Sequence, residues 1–173
     1  MKFFLFFSII TSSFLLSGCL YQNPPSQPAC QIDTWLLGDW IAQEKNGKTF
    51  EAIVTPQDNT HYHVSVYNQD HRTCRPSEFE GWISRVENIK FLTLRSLSCD
   101  EHNGKYIFLH YELLKRAKVP IDGVSAIRIR TTEPQLEESA RNLDSYHLRQ
   151  EISKRLKEGC LLLPGGTVWT KER

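Results

Sequence analysis

Apolar and polar residues alternate with a period of two through most of the chain between Asp39 and Thr131. Tyr62, Val64 and Val66 alternate with His61, His63, Ser65 and Tyr67. Ile107, Leu109, Tyr111 and Leu113 interleave with Tyr106, Phe108, His110 and Glu112. This pattern, rich in aromatic and β-branched residues, predicts strands. They fall near 39–44, 48–55, 60–68, 78–87, 90–97, 105–116 and 124–131. Turn formers separate them: Asn46-Gly47, Pro56 to Asn59, Asn68 to Asp70, Asn88, Asn103-Gly104 and Asp122-Gly123. Short connections of this kind favour antiparallel hairpins. Phe91, Leu92 and Leu94 place apolar groups on both faces of one strand. A barrel or sandwich covers two faces better than an open sheet does.

The period changes after Thr131. Pro134 suits a first helical turn, capped by Thr132 or Glu133, and Leu136, Ala140 and Leu143 follow at helical spacing. A second helix is predicted from Asp144 or Ser145, with Leu148, Ile152 and Leu156 on one stripe. Lys154, Arg155 and Lys157 crowd its last turn, where cations complement the helix dipole. Gly159 is placed as the C′ residue that ends it. Leu161 to Leu163 and the turn Pro164-Gly165-Gly166 lead to a last strand at 167–171. The expected fold is mainly β: a small antiparallel barrel or sandwich of about eight strands, with one or two helices before the last.

Gly38-Asp39-Trp40 opens the first strand. A Gly-X-Trp at that place, with a helix near the end, resembles the lipocalin-type barrels. The resemblance rests on three residues in motif and on topology over 36–171. It departs from the family in that lipocalins complete eight strands before their helix. It implies a late-strand arginine packed over Trp40, with Arg128 and Arg130 as the candidates.

The N-terminus carries a different signal. Lys2 supplies a short positive region, and Phe3 to Leu16 is apolar apart from Ser8, Thr11, Ser12 and Ser13. The run matches a signal-peptide core and falls short of the ~20 residues a spanning helix needs. Leu16-Ser17-Gly18-Cys19 closes it. These residues resemble the lipobox of bacterial lipoproteins. The resemblance implies removal of residues 1–18, a diacylglycerol group on the Cys19 thiol and acylation of its new amino terminus. Each buried CH₂ contributes ~0.8 kcal/mol, so several chains hold firmly where one binds marginally. Leu20 rather than Asp after the cysteine implies the outer membrane of a diderm host, with the domain facing the periplasm.

Residues 20–29 contain three prolines among polar neighbours and predict an extended tether. At ~3.1 Å per residue it would hold the domain on the order of 30 Å from the lipid. The expected organisation is therefore a signal peptide at 1–18, a lipidated and proline-rich tether at 19–35, and a β-rich domain at 36–173.

Taking 18 residues from 173 leaves 155, enough for one domain with a sizeable core. Only Lys2 leaves the charged set, so 20 cations face 20 anions. That balance gives no electrostatic reason to expect nucleic acid as a partner. Lipidation of Cys19 leaves Cys30, Cys74, Cys99 and Cys160. An even count in an oxidising space suggests two disulfides from three possible pairings. The expected pairs are Cys74–Cys99 and Cys30–Cys160. No two of the four have CxxC spacing, so they fit no zinc pattern.

Candidate chemistry is sparse. His61 and His63 share a strand face ~7 Å apart, and a metal would need a third ligand such as His110 or His71. Two surface histidines are the simpler reading. His71-Arg72-Thr73-Cys74-Arg75 could lower a thiol pKa, although a bridged Cys74 is favoured. Glu78 and Glu80 share a face and imitate a carboxylate pair, but glycosidase acids come from separate elements. No nucleophile elbow, P-loop or dinucleotide fingerprint occurs. Trp40, Trp82 and Trp169 read as core, and Trp35 as a cap on the barrel mouth. No catalytic residue, metal or cofactor is assigned. The expectation is a membrane-anchored envelope lipoprotein whose β-domain binds a small apolar ligand or an envelope component. An accessory subunit of an envelope assembly is the alternative, and a periplasmic enzyme using His61, His63, His110 and Glu112 a weaker one.

Overall fold

Eight antiparallel strands pair in chain order and close into a barrel in the computed structural model. They are β1 (Gly38–Gln43), β2 (Thr49–Pro56), β3 (His61–Asn68), β4 (Ser77–Val86), β5 (Ile89–Ser96), β6 (Tyr106–Leu114), β7 (Ala126–Thr132) and β8 (Thr167–Glu172). One helix, α1 (Ser145–Lys157), lies between β7 and β8. The structure describes residues 20–43, 47–68, 75–99, 101–114, 126–162 and 166–172. Cys19, His71, Cys74, Asn46, Asp70, Asp122-Gly123 and Pro164-Gly165 lie outside them.

Closure decides between the expected architectures. β8 pairs with β7 over six positions and with β1 at Ile41↔Thr170 and Ala42↔Trp169. The fold is thus a lipocalin-like barrel and not a sandwich, and the missing eighth strand is the one after the helix. Among the described residues no helix is long and apolar enough to cross a membrane.

The period-two pattern sorts side chains between two cores. Trp40, Ala52, Val54, Tyr62, Val64, Phe79, Ile83, Leu94, Ile107, Tyr111 and Ile129 point into the barrel. Gly81 makes room there: it pairs with Tyr62, and a Cβ on it would meet Leu94 Cδ2 at 3.0 Å. A second cluster covers the outer wall of β4, β5 and β6. Val86, Phe91 and Phe108 pack there against Leu148 and Ile152 of α1, all fully buried. This explains the apolar residues on both faces of β5.

Helix α1 ends as expected. The Asp144 side chain accepts from His147 N at 2.9 Å as N-cap. Gly159 has φ 70°, and its N–H bonds Leu156 O while Cys160 N–H bonds Arg155 O. That pair of bonds is a Schellman ending. The helix predicted from Pro134 does not form. Only a five-residue 3-10 segment, Glu138–Asn142, appears, with no side-chain cap. Leu136, Ala140 and Leu143 still reach the outer-wall cluster, so their spacing reflects burial rather than an α-helix.

Residues 20–33 are not the spacer that their prolines predict. They form a strap docked on the barrel wall. Tyr21, 1% exposed, exchanges backbone bonds of 2.8 and 2.9 Å with Tyr106. It sits where β6 extends past its last partner in β7, at His110↔Thr132, leaving a free edge. Gln22 N bonds Arg141 O, and Asn23 Nδ2 bonds Leu143 O. Trp82 Nε1 and Ser84 Oγ both donate to Ser26 O at 3.0 Å. Ala29 N–H reaches Ile83 O, on the edge of β4 beyond the start of β3. The prolines suit this role: Pro24 and Pro25 are buried, and extended backbone with few donors lies flat on a wall. Residues 20–33 thus pack as part of the barrel domain.

Candidate ligand-binding lumen

The two ends of the barrel differ. The strap ends in a 3-10 turn, Thr34–Leu36, which lies across one end. Trp35 caps it as the sequence suggested, with its ring 5.7 Å from that of Tyr111. Leu36 is buried beneath, and its carbonyl accepts from Trp40 Nε1 at 2.7 Å. The cation expected over Trp40 is present, but it is neither Arg128 nor Arg130. Lys171 Nζ sits 4.9 Å from the Trp40 ring centroid. It also donates to Trp35 O and Leu37 O, at 2.7 and 2.8 Å. Arg128 and Arg130 flank the inward Ile129 and so face outward, where Arg130 pairs with Glu112.

A polar latch fastens the same plug. Asp33 N–H donates to Tyr62 Oη at 2.6 Å, and Tyr111 Oη donates to Asp33 Oδ2 at 2.7 Å. Lys90 Nζ reaches the same carboxylate at 3.1 Å from the start of β5. Burial pushes both tyrosines above their ordinary value, and the Asp33 charge adds to the effect at Tyr111.

This latch predicts a pH dependence. A tyrosine whose folded pKa is raised contributes stability that is complete below the unfolded value of 10.0. That stability is lost as pH rises past it, because the unfolded chain ionises first. Urea midpoints should therefore fall above about pH 10. The Tyr62→Phe/Tyr111→Phe double variant should be less stable at neutral pH, with a flatter alkaline limb. An equally steep limb in that variant would remove the assignment.

The lumen itself is apolar, and part of its lining is not sealed. Val66, Leu92, Leu109 and Trp169 belong to it and are only partly buried. On the outer wall Phe91, Thr93 and Phe108 are fully buried, and the partly buried Ile89, Tyr106, Leu136 and Leu143 lie around them. Beyond the polar contacts at the plug, Trp169 Nε1 donates to Thr131 Oγ1 at 3.1 Å. An apolar chamber with few, placed polar groups is the usual form of a small-molecule site. Leu20, the residue before Tyr21, packs against this inner cluster from the rim opposite the plug.

The remaining sequence candidates are dispersed. His61 pairs with Asp58 at 2.9 Å and stands edge-on to Trp82. His63 pairs with Glu78 at 2.9 Å, and Glu78 also accepts from Ser65 Oγ. Glu80 pairs with Arg95. His110 and Glu112 lie on β6, separated from β3 by two whole strands. His110 packs against Phe91, and burial lowers its pKa despite the raising influence of Glu112. The four residues of the enzymatic reading therefore do not converge. Among the described residues no group of three His, Cys, Asp or Glu could hold a metal ion. Trp82 faces outward under the strap, unlike Trp40 and Trp169.

The thiols also correct an expectation. Cys30 and Cys160 are free and not bridged. Cys30 packs against the inner cluster at the plugged end, whereas Cys160 follows α1 and hydrogen-bonds Arg155. Burial of the strap already fixes the N-terminal segment that the bridge was expected to pin. Cys99 is an exposed free thiol, and its expected partner Cys74 lies outside the described residues. A shallow exterior groove of about 600 Å³ runs between α1 and Glu87, lined by Tyr146, Arg149, Lys154 and Lys157.

These features define a class: a closed antiparallel eight-stranded barrel with a plugged end and an apolar interior. No known protein family, curated protein or solved structure matches the chain.

Proposed function

We propose that this chain is a lipid-anchored envelope lipoprotein whose barrel holds a small apolar molecule in its lumen. The anchor reading rests on Leu16-Ser17-Gly18-Cys19 after an apolar leader. The binding reading rests on one observation: Val66, Leu92, Leu109 and Trp169 belong to the inner cluster, on strands whose neighbours close around them, and yet stay partly exposed. A residue that only filled core would be expected to lose that exposure.

The test is mass spectrometry on the full chain, extracted from membranes in mild detergent. The intact mass should lack residues 1–18 and carry acyl chains on Cys19. The native mass should show an additional apolar molecule that Leu109→Trp, by filling the lumen, removes. Cys19→Ala should leave a folded domain that no longer sediments with membranes. A native mass with no addition, together with a stoichiometric protein crosslink in intact cells, would replace cargo binding with the accessory-subunit reading.

A further inference from the structure

We infer that the strap seats the barrel directly on the bilayer, with the rim opposite the plug facing the lipid. This rests on Cys19 being the anchor. The chain between anchor and barrel is short: only Leu20 separates Cys19 from Tyr21, so the Cys19 Cα lies within about 7 Å of the Tyr21 Cα. Tyr21 is not free to swing, since its backbone is bonded to Tyr106 in both directions and its side chain is buried against Phe108. Tyr106 begins β6, at the end of the barrel that carries the β1–β2, β3–β4 and β5–β6 connections. The lipid thus emerges at that rim. The plug, with Asp33 and the 3-10 turn, stands a strand's length away, on the order of 20 Å allowing for strand tilt.

The rim has the chemistry for this neighbour. Leu97, just past β5, is 41% exposed, a large apolar side chain at the edge nearest the anchor. Exposed Arg75 precedes β4, and Lys105 precedes β6. Leu97 beside Arg75 and Lys105 suits the interface of an anionic bilayer, with exposed Glu101 in the same β5–β6 connection opposing it. The plugged end also has an exposed apolar side chain, Leu113 near the end of β6, along with the carboxylate of Asp58 that Thr60 and His61 hold ionised, so the short link to Cys19 and not the surface chemistry selects the rim.

Amide hydrogen exchange tests the orientation on the lipidated full chain in vesicles of phosphatidylethanolamine and phosphatidylglycerol. Relative to the same protein in detergent, exchange should slow severalfold at 97–105 and 75–76. The turns at 57–60 and 87–88 should not change. A flexible Gly/Ser insert of about ten residues between Cys19 and Leu20, spanning about 17 Å, should abolish that protection while the protein stays on the vesicles. Failure to partition onto vesicles would remove the anchor reading itself. Protein that partitions but shows uniform protection, or protection at 57–60 and 87–88, would overturn the orientation and leave the anchor standing. Protection at 97–105 that survives the insert would show that the rim binds lipid without the strap's help, and would overturn the seating by the strap.

Discussion

Replacing Trp40 with alanine should cost the barrel about 3–5 kcal/mol, the range for emptying a large aromatic site in a packed core. Domains of this size are stable by about 5–15 kcal/mol, so the variant would stand near unfolding at ambient temperature. Three losses combine. The ring is 2% exposed and sits between the inner cluster and the plug. Its Nε1 is the donor for the carbonyl of Leu36, which anchors the 3-10 turn. Its face carries the Lys171 ammonium, which in turn holds the carbonyls of Trp35 and Leu37. Alanine thus loosens β1, β8 and the plug together. Trp40→Phe should recover most of the packing but not the hydrogen bond, and Lys171→Met should cost less than either. Urea denaturation followed by far-UV circular dichroism measures all three. A Trp40→Ala loss below that of Lys171→Met would show that the plug does not hang on the indole.

The strands were legible because most are amphipathic at a fixed period, which a closed barrel needs wherever its outer wall faces water, and because the covered β5 is apolar on both faces. The end of α1 was legible because Asp144, the Leu148–Ile152 stripe and Gly159 are local signals. The strap was not. Three prolines in ten residues describe backbone without regular partners, and nothing local says where such a backbone docks. Its sites are the free edges of β4 past β3 and of β6 past β7, which exist only through strand register. Lys171 was half legible. It lies two residues after Trp169, hence on the same inward face, whereas Arg128 and Arg130 flank Ile129 and must point out. Period-two reasoning applied to β7 and β8 would have chosen the lysine. The lumen was hidden for another reason. Whether inward apolar residues touch one another or leave room depends on the closure of all eight strands, which no single segment encodes.

Gly166→Ala should be the other severe substitution, and its position shows where closure is tightest. Gly166 has φ 102°, a conformation that side chains rarely adopt. A Cβ built there would also run into the carbonyl oxygen of Thr131 and lie 2.7 Å from Thr132 Oγ1. Neither obstacle is the yielding tip of a long side chain. Thr131 pairs with Thr167 at the start of the β7–β8 ladder, so relieving the clash means parting the strands that close the barrel. Backbone strain and overpacking each cost about 1–3 kcal/mol, which together puts the loss at about 2–6 kcal/mol. Gly159→Ala supplies the comparison. That glycine is also left-handed, at φ 70°, but nothing lies within 4 Å of its would-be Cβ. It should lose only the conformational term, about 1–2 kcal/mol. The difference between the two variants, read from parallel urea titrations, isolates the crowding at the seam. Equal losses would mean that β7 can shift to admit a methyl group, and that the barrel closes with slack at this point.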